Sequence, residues 1–551
     1  MGLREAGAVE RRAPGFQFRR TDALPPLAWC AEVRRGVHDV VVKHGRFVET
    51  THDAFFEGVW DGLFVDFDFR SSHTTMGSGG CVEGERLCFV APSHTYESLV
   101  TLVDGDRLWV SNSIAFVLAS ADDAPDLRYP WYHRDLLRLQ RRGATGTEPA
   151  ALPTARGRTV LLHAGTDLIV GDQLAIATRP RPQPPEPRDF TEYRALLADT
   201  VAALVRNADD SARTHRFPLI TTTSSGYDSP ATSVLAAAAG VHKAITFETQ
   251  EPHAHVDSGR AIAEALGLEV HTIDARAWRG ASGCPEIEFL ACSSGWAMLP
   301  MAPVASGWPG SVVFLGSMGD DVWRRDRQDV KPRLARPHEE EPASAGLREF
   351  RLRAGIVFVH VPTIGAIHAD AIHRIARSDE MAHWSLGNGY DRPVPRRIVE
   401  EAGIPRAAFG HTIYMTIDTQ TPEILRRLRR CSFAGFIDTI SPAIPRRVGL
   451  RLALEWRFGP AAARVALFIA RIAWVGGRRL RLRLIQWTGR AVTTRIFRWQ
   501  WHEMLPILYT FHWGTTELAR RYGDAIGRSR TGATGSDRAD RLRRPGEPSE
   551  A

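Results

Sequence analysis

The spacing of apolar residues changes rhythm twice along this chain. Between residues 37 and 120 they come in short runs broken by turn formers: "HDVVVKHGRFVET", "GLFVDFDF", "RLCFVAP" and "SLVTLVDGDRLWVSNS". "RTVLLHAGTDLIVGDQLAIAT" continues the pattern to residue 178. Runs of this length between Gly, Asp and Asn predict strands. A series of them predicts a β-rich, α+β sandwich-like antiparallel domain over residues 1–185. "RPRPQPPEPRD", with five prolines in eleven residues, then predicts a linker without regular structure.

Beyond it the rhythm becomes helical and then mixed. "FTEYRALLADTVAALVRNA" has the 3.6-residue spacing of a helix. A strand ending at Thr223 precedes an Ala-rich helix from about Pro230, followed by the strand "KAITFET", the helix "SGRAIAEALGL" and the strand "EVHTID". Another helix leads into the strand of "GSVVFLGSMGDD". Strands separated by helices predict an α/β domain over residues 190–440 with a parallel sheet and crossover helices. Such sheets bind ligands where loops leave the C-terminal ends of strands. Residues 441–525 read as a helical, Arg/Trp-rich extension. Within it "ARVALFIARIAWVGG" is too short to span a bilayer and is interrupted by Arg471, so a packed helix is expected, with weak membrane-surface contact as the alternative. Residues 526–551 lack apolar periodicity and are expected to be disordered.

Composition narrows the class. The chain of 551 residues, 44% hydrophobic and 24% charged, has the make-up of a globular protein of two or three domains. Its first residues lack an apolar leader segment and read as cytoplasmic, and Ala6 spoils a myristoylation pattern. Cys30, Cys81, Cys88, Cys284, Cys292 and Cys431 form no CxxC pair, which argues against structural zinc and for buried free thiols. The net charge of +7 comes with basic residues crowded into the C-terminal third, so no nucleic-acid face is expected. Only three of the 70 basic residues are lysine, namely Lys43, Lys243 and Lys331. Chemistry that needs an ammonium therefore has three candidates.

The candidate chemistry lies at "LITTTSSGYDSP". Where a strand turns into a helix, backbone N–H groups together with the hydroxyls of Ser224, Ser225 and Ser229 make an anion site. Gly226 allows close backbone approach. Asp228 beside an anion needs a cation between them, which points to a nucleotide with Mg2+. An ordinary cluster of helix-capping residues is the alternative. The chain has no GxxxxGK[ST] loop and no GxGxxG after a strand. "PHAHVD" (residues 252–257) reads as a solvated loop and "HWSLGNGYD" as a turn.

"SSGYDS" resembles the S-G-G-x-D-S loop of the asparagine synthetase family and related ATP pyrophosphatases. About 90 residues on, "VVFLGSMGDDVW" resembles the family's second motif, with Gly316, Asp320 and Asp321 at its glycine and acidic pair. "GYDRPVPRRIVEEAGIPRAAFG", Gly389 to Gly410, resembles the family's helical part, and order and spacing agree over roughly residues 190–415. The resemblance implies an adenine nucleotide alpha hydrolase-like domain that binds ATP and Mg2+, activates a carboxylate as an acyl-adenylate with release of pyrophosphate, and passes the acyl group to an amine. Both substrates would be small molecules. It implies that Asp228, Asp320 and Asp321 face the metal, that Ser224, Ser225, Gly226 and Ser229 cradle phosphate, and that adenine lies by Thr246, Phe247 and Glu248. The first domain resembles the family's glutamine amidotransferase domain, whose nucleophile is an N-terminal cysteine. Here Gly2 stands in that place, so glutamine hydrolysis is not expected.

Three departures bear on turnover: Ser225 and Met318 replace glycines, and His411 stands where the family has a lysine. His411 is the candidate catalytic residue by position. A nucleotide-binding pseudoenzyme or scaffold that keeps the fold without turnover is the alternative function.

Overall fold

A computed structural model describes residues 14–141, 148–171, 173–248, 258–280, 284–292, 296–325, 346–410, 430–443 and 499–527. The first strands are β1 (Gly15–Arg20), β2 (Trp29–Arg34), β3 (Asp39–His44), β4 (Glu49–Thr50), β5 (Ala54–Trp60), β6 (Thr75–Glu83) and β7 (Arg86–Val90). They are followed by β8 (Leu99–Asp104), β9 (Arg107–Ser111), β10 (Ala150–Pro153), β11 (Thr159–His163), β12 (Thr166–Val170) and β13 (Ile176–Pro180). One sheet runs β1-β3-β2-β9-β8-β11-β10 and the other β13-β12-β7-β6-β5-β4.

The two sheets bury a common apolar layer. β3 alternates half-buried and buried positions, so Val40 and Val42 face inward. Trp29, Phe55, Phe89, Leu99, Val110 and Leu168 fill the layer, with Trp29 edge-on to Phe55 and stacked on Phe89. The expected strands are present except "GLFVDFDF", residues 62–69, which forms turns between β5 and β6 with its Phe64 and Phe69 side chains buried against Trp60, and the pairing is antiparallel except for β1 with β3. That parallel pair forms because β2 lies between β3 and β9, leaving β1 to join the free edge of β3. β13 runs through Arg179 and Pro180, so the proline-rich segment loses regular structure two residues later than its composition predicts.

The helix Phe190–Ala208 follows, capped by the Asp189 carboxylate, which accepts from the Glu192 N–H. Its buried positions include Phe190, Tyr193, Leu197, Val201 and Leu204, the i, i+3/i+4 stripe that its sequence predicts. A third sheet is built from β14 (Leu219–Thr222), β15 (Lys243–Glu248), β16 (Glu269–Asp274), β17 (Val312–Leu315) and β18 (Val357–His360). All its neighbours are parallel. Central strands of such a sheet are covered on both faces, and every residue of β17 is buried accordingly.

The strand order is β16-β15-β14-β17-β18. The chain winds outward from β14 to β16, then returns to β17 on the other side of β14. The strand order therefore reverses between β14 and β17, and the crevice outside the carboxyl ends of the strands at such a switch point is where open α/β sheets bind ligands.

The sandwich is tied to this unit by buried polar groups. The Arg351 guanidinium lies between Glu57 of β5 and Glu97, with its Nη1 and Nη2 each 2.8 Å from a Glu57 oxygen. The helix Trp499–Ala525 packs Gly514 against Ala291 and stacks Tyr522 on Phe116, at a centroid separation of 4.7 Å. No helix among the described residues is long and apolar enough to cross a membrane. Most of the 441–525 extension, including "ARVALFIARIAWVGG", and the tail beyond residue 527 lie outside the described residues.

Candidate functional site

The corner after β14 forms as follows. Thr223 closes the strand by donating its N–H to the Ile245 carbonyl, and the chain turns over residues 223–227 into the helix Asp228–Ala238. The helix begins two residues earlier than the Ala-rich run suggests, which puts Asp228 in its first turn. Hydroxyls before a helix are ordinarily caps. Here the N-cap position is Tyr227, whose side chain makes no capping hydrogen bond. Ser224 Oγ instead accepts from the Gly226 N–H at 3.2 Å, inside the loop. Ser225 and Ser229 complete the small, half-buried rim. The N-cap side chain thus leaves the first-turn N–H groups of Asp228 and Ser229 uncapped, as an anion-binding helix start requires.

Two glycines bring the β17 loop onto this corner. A Cβ on Gly316 would lie 2.5 Å from the Asp228 carbonyl carbon, and one on Gly319 would lie 2.1 Å from Asp228 Cγ. At Gly316 an added Cβ meets backbone and at Gly319 the Asp228 side chain, so neither position admits another residue without a shift at Asp228. Met318, between them, holds φ of 76° with its side chain buried. That left-handed backbone is one that glycine adopts freely and methionine does not. Asp320 and Asp321 follow in the short helix Gly319–Val322. His373 Nε2 donates to the Asp321 carbonyl at 3.0 Å.

Asp228 is the electrostatic centre. The residue keeps some exposed area, yet its Oδ1 is fully buried and has no hydrogen-bond partner. Burial pushes its carboxyl up to about 7; Arg392 opposes the rise, while Asp320 and Asp321 add to it. The Arg392 guanidinium donates to Asp320 Oδ1 at 2.6 Å and to the Asp320 carbonyl at 3.1 Å. Asp320 is drawn outward in this pair, and among the described residues no three His, Cys, Asp or Glu side chains converge as a metal-binding set. The expected set of Asp228, Asp320 and Asp321 around one ion therefore does not form from the protein alone. Mg2+ is commonly bound by one or two carboxylates plus substrate phosphates. The orphaned Asp228 oxygen beside uncapped N–H groups fits that arrangement.

The segment resembling the family's helical part lies across the corner. The helix Pro393–Glu401 starts with proline at its first position. Arg396, buried, donates to Glu400 at 3.1 Å and to the Tyr227 hydroxyl, and lies over the Tyr227 ring. Gly410 donates its N–H to the Ser225 carbonyl at 2.8 Å, and a Cβ there would strike the Tyr227 ring. Residues 411–429 are outside the described residues, so His411 is too, as are Lys331 and "PHAHVD".

On the far side of the crevice, Thr246 is buried and accepts the Gly259 N–H at 3.0 Å. Glu248 accepts from the Ser258 hydroxyl at 2.8 Å. Both side chains are committed to the loop that follows, while Phe247 remains half-buried at the strand end. A Cβ on Gly259 would lie 2.5 Å from the Ser224 nitrogen, so this wall packs directly on the corner.

The cation of the site is the residue that motif reading passes over. Lys243 opens β15 at the opposite edge of the sheet, where it meets Glu269, and Lys43 belongs to β3. Arg392 stands inside "GYDRPVPRR", just before a proline-started helix, a position visible in the sequence although its direction is not. In the first sheets, Cys30 is buried within β2 and its thiol is pushed up to about 12 by burial, which leaves it unreactive as a nucleophile.

No family model matches the chain, and no curated protein matches it at a significant level.

Proposed function

We propose that the protein is an ATP-dependent ligase of the asparagine synthetase type, with an adenine nucleotide alpha hydrolase-like domain. It activates a small-molecule carboxylate as an acyl-adenylate and transfers the acyl group to an amine, without hydrolysing glutamine itself. The observation behind this reading is the buried, unpartnered Asp228 oxygen at the switch point of the parallel sheet, beside an uncapped helix start.

In this reading the N–H groups at the start of the Asp228–Ala238 helix and the hydroxyls of Ser224, Ser225 and Ser229 orient the β- and γ-phosphates. Asp228, with Asp320 once released from Arg392, would hold Mg2+, which would supply charge neutralisation on the departing pyrophosphate. Adenine lies by Thr246, Phe247 and Glu248. The carboxylate attacks the α-phosphorus and the phosphoanhydride bond to pyrophosphate breaks. The amine then displaces AMP and loses a proton. Arg392, at the acidic loop, would counter phosphate charge, since no lysine stands at the corner among the described residues.

A second reading has its own support. Arg392 occupies Asp320, and Met318 strains the acidic loop, as a nucleotide-binding pseudoenzyme would tolerate. Pyrophosphate release from Mg-ATP, measured against pools of carboxylic acids with and without amines, separates the two. Release that depends on an acid and disappears in Asp228→Ala supports the ligase. Binding of Mg-ATP with no release from any pool supports the pseudoenzyme.

A further inference from the structure

Away from this crevice, β6 and β7 form a hairpin with a two-residue turn, Gly84–Glu85, where Gly84 takes φ of 61°. The turn sets the register Glu83↔Arg86, Val82↔Leu87 and Cys81↔Cys88. Residues directly opposite in an antiparallel pair have Cα atoms about 4.5–5.5 Å apart. A disulfide spans about 4.4–6.8 Å between Cα atoms. Both cysteines are free thiols and pack on the same face of the sheet, against Phe56, Trp60 and Phe69.

Their surroundings differentiate the two sulfurs. Cys88 is fully buried, and its Sγ accepts from Arg179 Nη2 at 3.0 Å. Cys81 is half-buried, the more exposed of the two. The Cys88 thiol hydrogen-bonds to Cys81, which lowers the Cys81 thiol below its ordinary value and raises Cys88; burial opposes the first effect, and Arg70 and Arg179 add to it. A basic pair, Arg70 and Arg179, is joined here through Glu83. A lowered, partly exposed thiol with a second thiol opposite is the arrangement of a peroxide-reactive cysteine and its resolving partner.

We propose that Cys81 and Cys88 form a peroxide-responsive dithiol that closes to a cross-strand disulfide. The Cys81 thiolate attacks one oxygen of the peroxide; the O–O bond breaks, Cys81 becomes a sulfenic acid, and the other oxygen leaves as hydroxide and takes up a proton. The Cys88 sulfur then attacks the Cys81 sulfur, the S–O bond breaks, and water leaves with the Cys88 proton. Two thiols and one hydrogen peroxide thus give one disulfide and two waters, with two electrons passing from sulfur to peroxide. The site is independent of the nucleotide crevice and of the function proposed for it.

The test uses the full chain, freed of reductant, treated with a small molar excess of hydrogen peroxide, alkylated and digested with trypsin. Cleavage after Arg86 falls between the two cysteines, so closure joins peptide 71–86 to peptide 87–107. The expected result is that this cross-linked pair dominates while Cys30 and Cys292 remain alkylatable after denaturation. Arg179→Gln should slow closure several-fold, and in Cys88→Ser a dimedone adduct should accumulate at Cys81. Cys81→Ser, at the half-buried position, removes the cross-link with the least disturbance to packing. Persistence of both thiols under peroxide, or oxidation spread evenly over all cysteines, would overturn the proposal. So would dimedone labelling of Cys88 rather than Cys81.

Discussion

Asp228→Asn should stabilise the ligand-free protein at alkaline pH while removing its affinity for Mg-ATP. The substitution keeps the side chain's shape and removes only the charge. In the folded protein this carboxyl is raised from an ordinary 3.8 to about 7, chiefly by burial. Well below pH 3.8 it is protonated in both folded and unfolded chains, and folding bears no penalty from it. As pH climbs towards 7 the unfolded chain ionises first, so stability present at low pH is progressively lost; above 7 the loss is complete. At ~1.36 kcal/mol per tenfold change in proton affinity the ceiling is roughly 4 kcal/mol, and partial contact with solvent brings it to about 2–4 kcal/mol. Thermal unfolding of both proteins without nucleotide, at about pH 5 and about pH 8, reads this directly. The asparagine variant should unfold at the higher temperature, with a gap that widens towards pH 8. Adding Mg-ATP should raise the wild type and leave the variant unchanged. A variant less stable than wild type at pH 8, or a gap that does not grow with pH, would refute the reasoning.

Other substitutions probe neighbouring contacts. Gly319→Ala places a Cβ 2.1 Å from Asp228 Cγ, so it should cost about 1–3 kcal/mol in chemical denaturation and weaken Mg-ATP binding. Arg392→Gln removes the one charge that holds the Asp228 carboxyl down. The pH midpoint of the stability change should move upward and Mg-ATP affinity should fall at least about tenfold, near 1.4 kcal/mol. Arg351→Met leaves Glu57 and Glu97 buried and uncompensated, at a cost of about 3–5 kcal/mol. It should appear as a lower melting transition at neutral pH, partly restored in acid as the carboxylates protonate.

The parts of this fold legible in the sequence are those that depend on local periodicity. β14, β15 and β17 fall on the apolar runs that predict them, because inner strands of a covered parallel sheet are largely buried, while β16 falls on "EVHTID" at the sheet edge with no fully buried residue. β18 has the same kind of signature, "IVFVHV", but it stands beyond a long stretch rich in charge and proline, where the α/β rhythm is lost. The residue types at the crevice were also legible, since Ser, Gly and Asp at a strand–helix corner have few uses. What they do to each other was not. That Asp320 turns to Arg392, leaving Asp228 without a partner, depends on a segment some 70 residues further on. The cysteines show the same limit. As a list they look scattered, and only the register set by a two-residue turn brings Cys81 opposite Cys88.

The measurement closest to the central claim is calorimetric titration of the protein with ATP, with and without Mg2+, repeated on Asp228→Asn. Binding that requires Mg2+ and disappears in the variant is the predicted result. No heat of binding in the wild type, or equal binding by the two proteins, would contradict a nucleotide site at the Ser224–Ser229 corner.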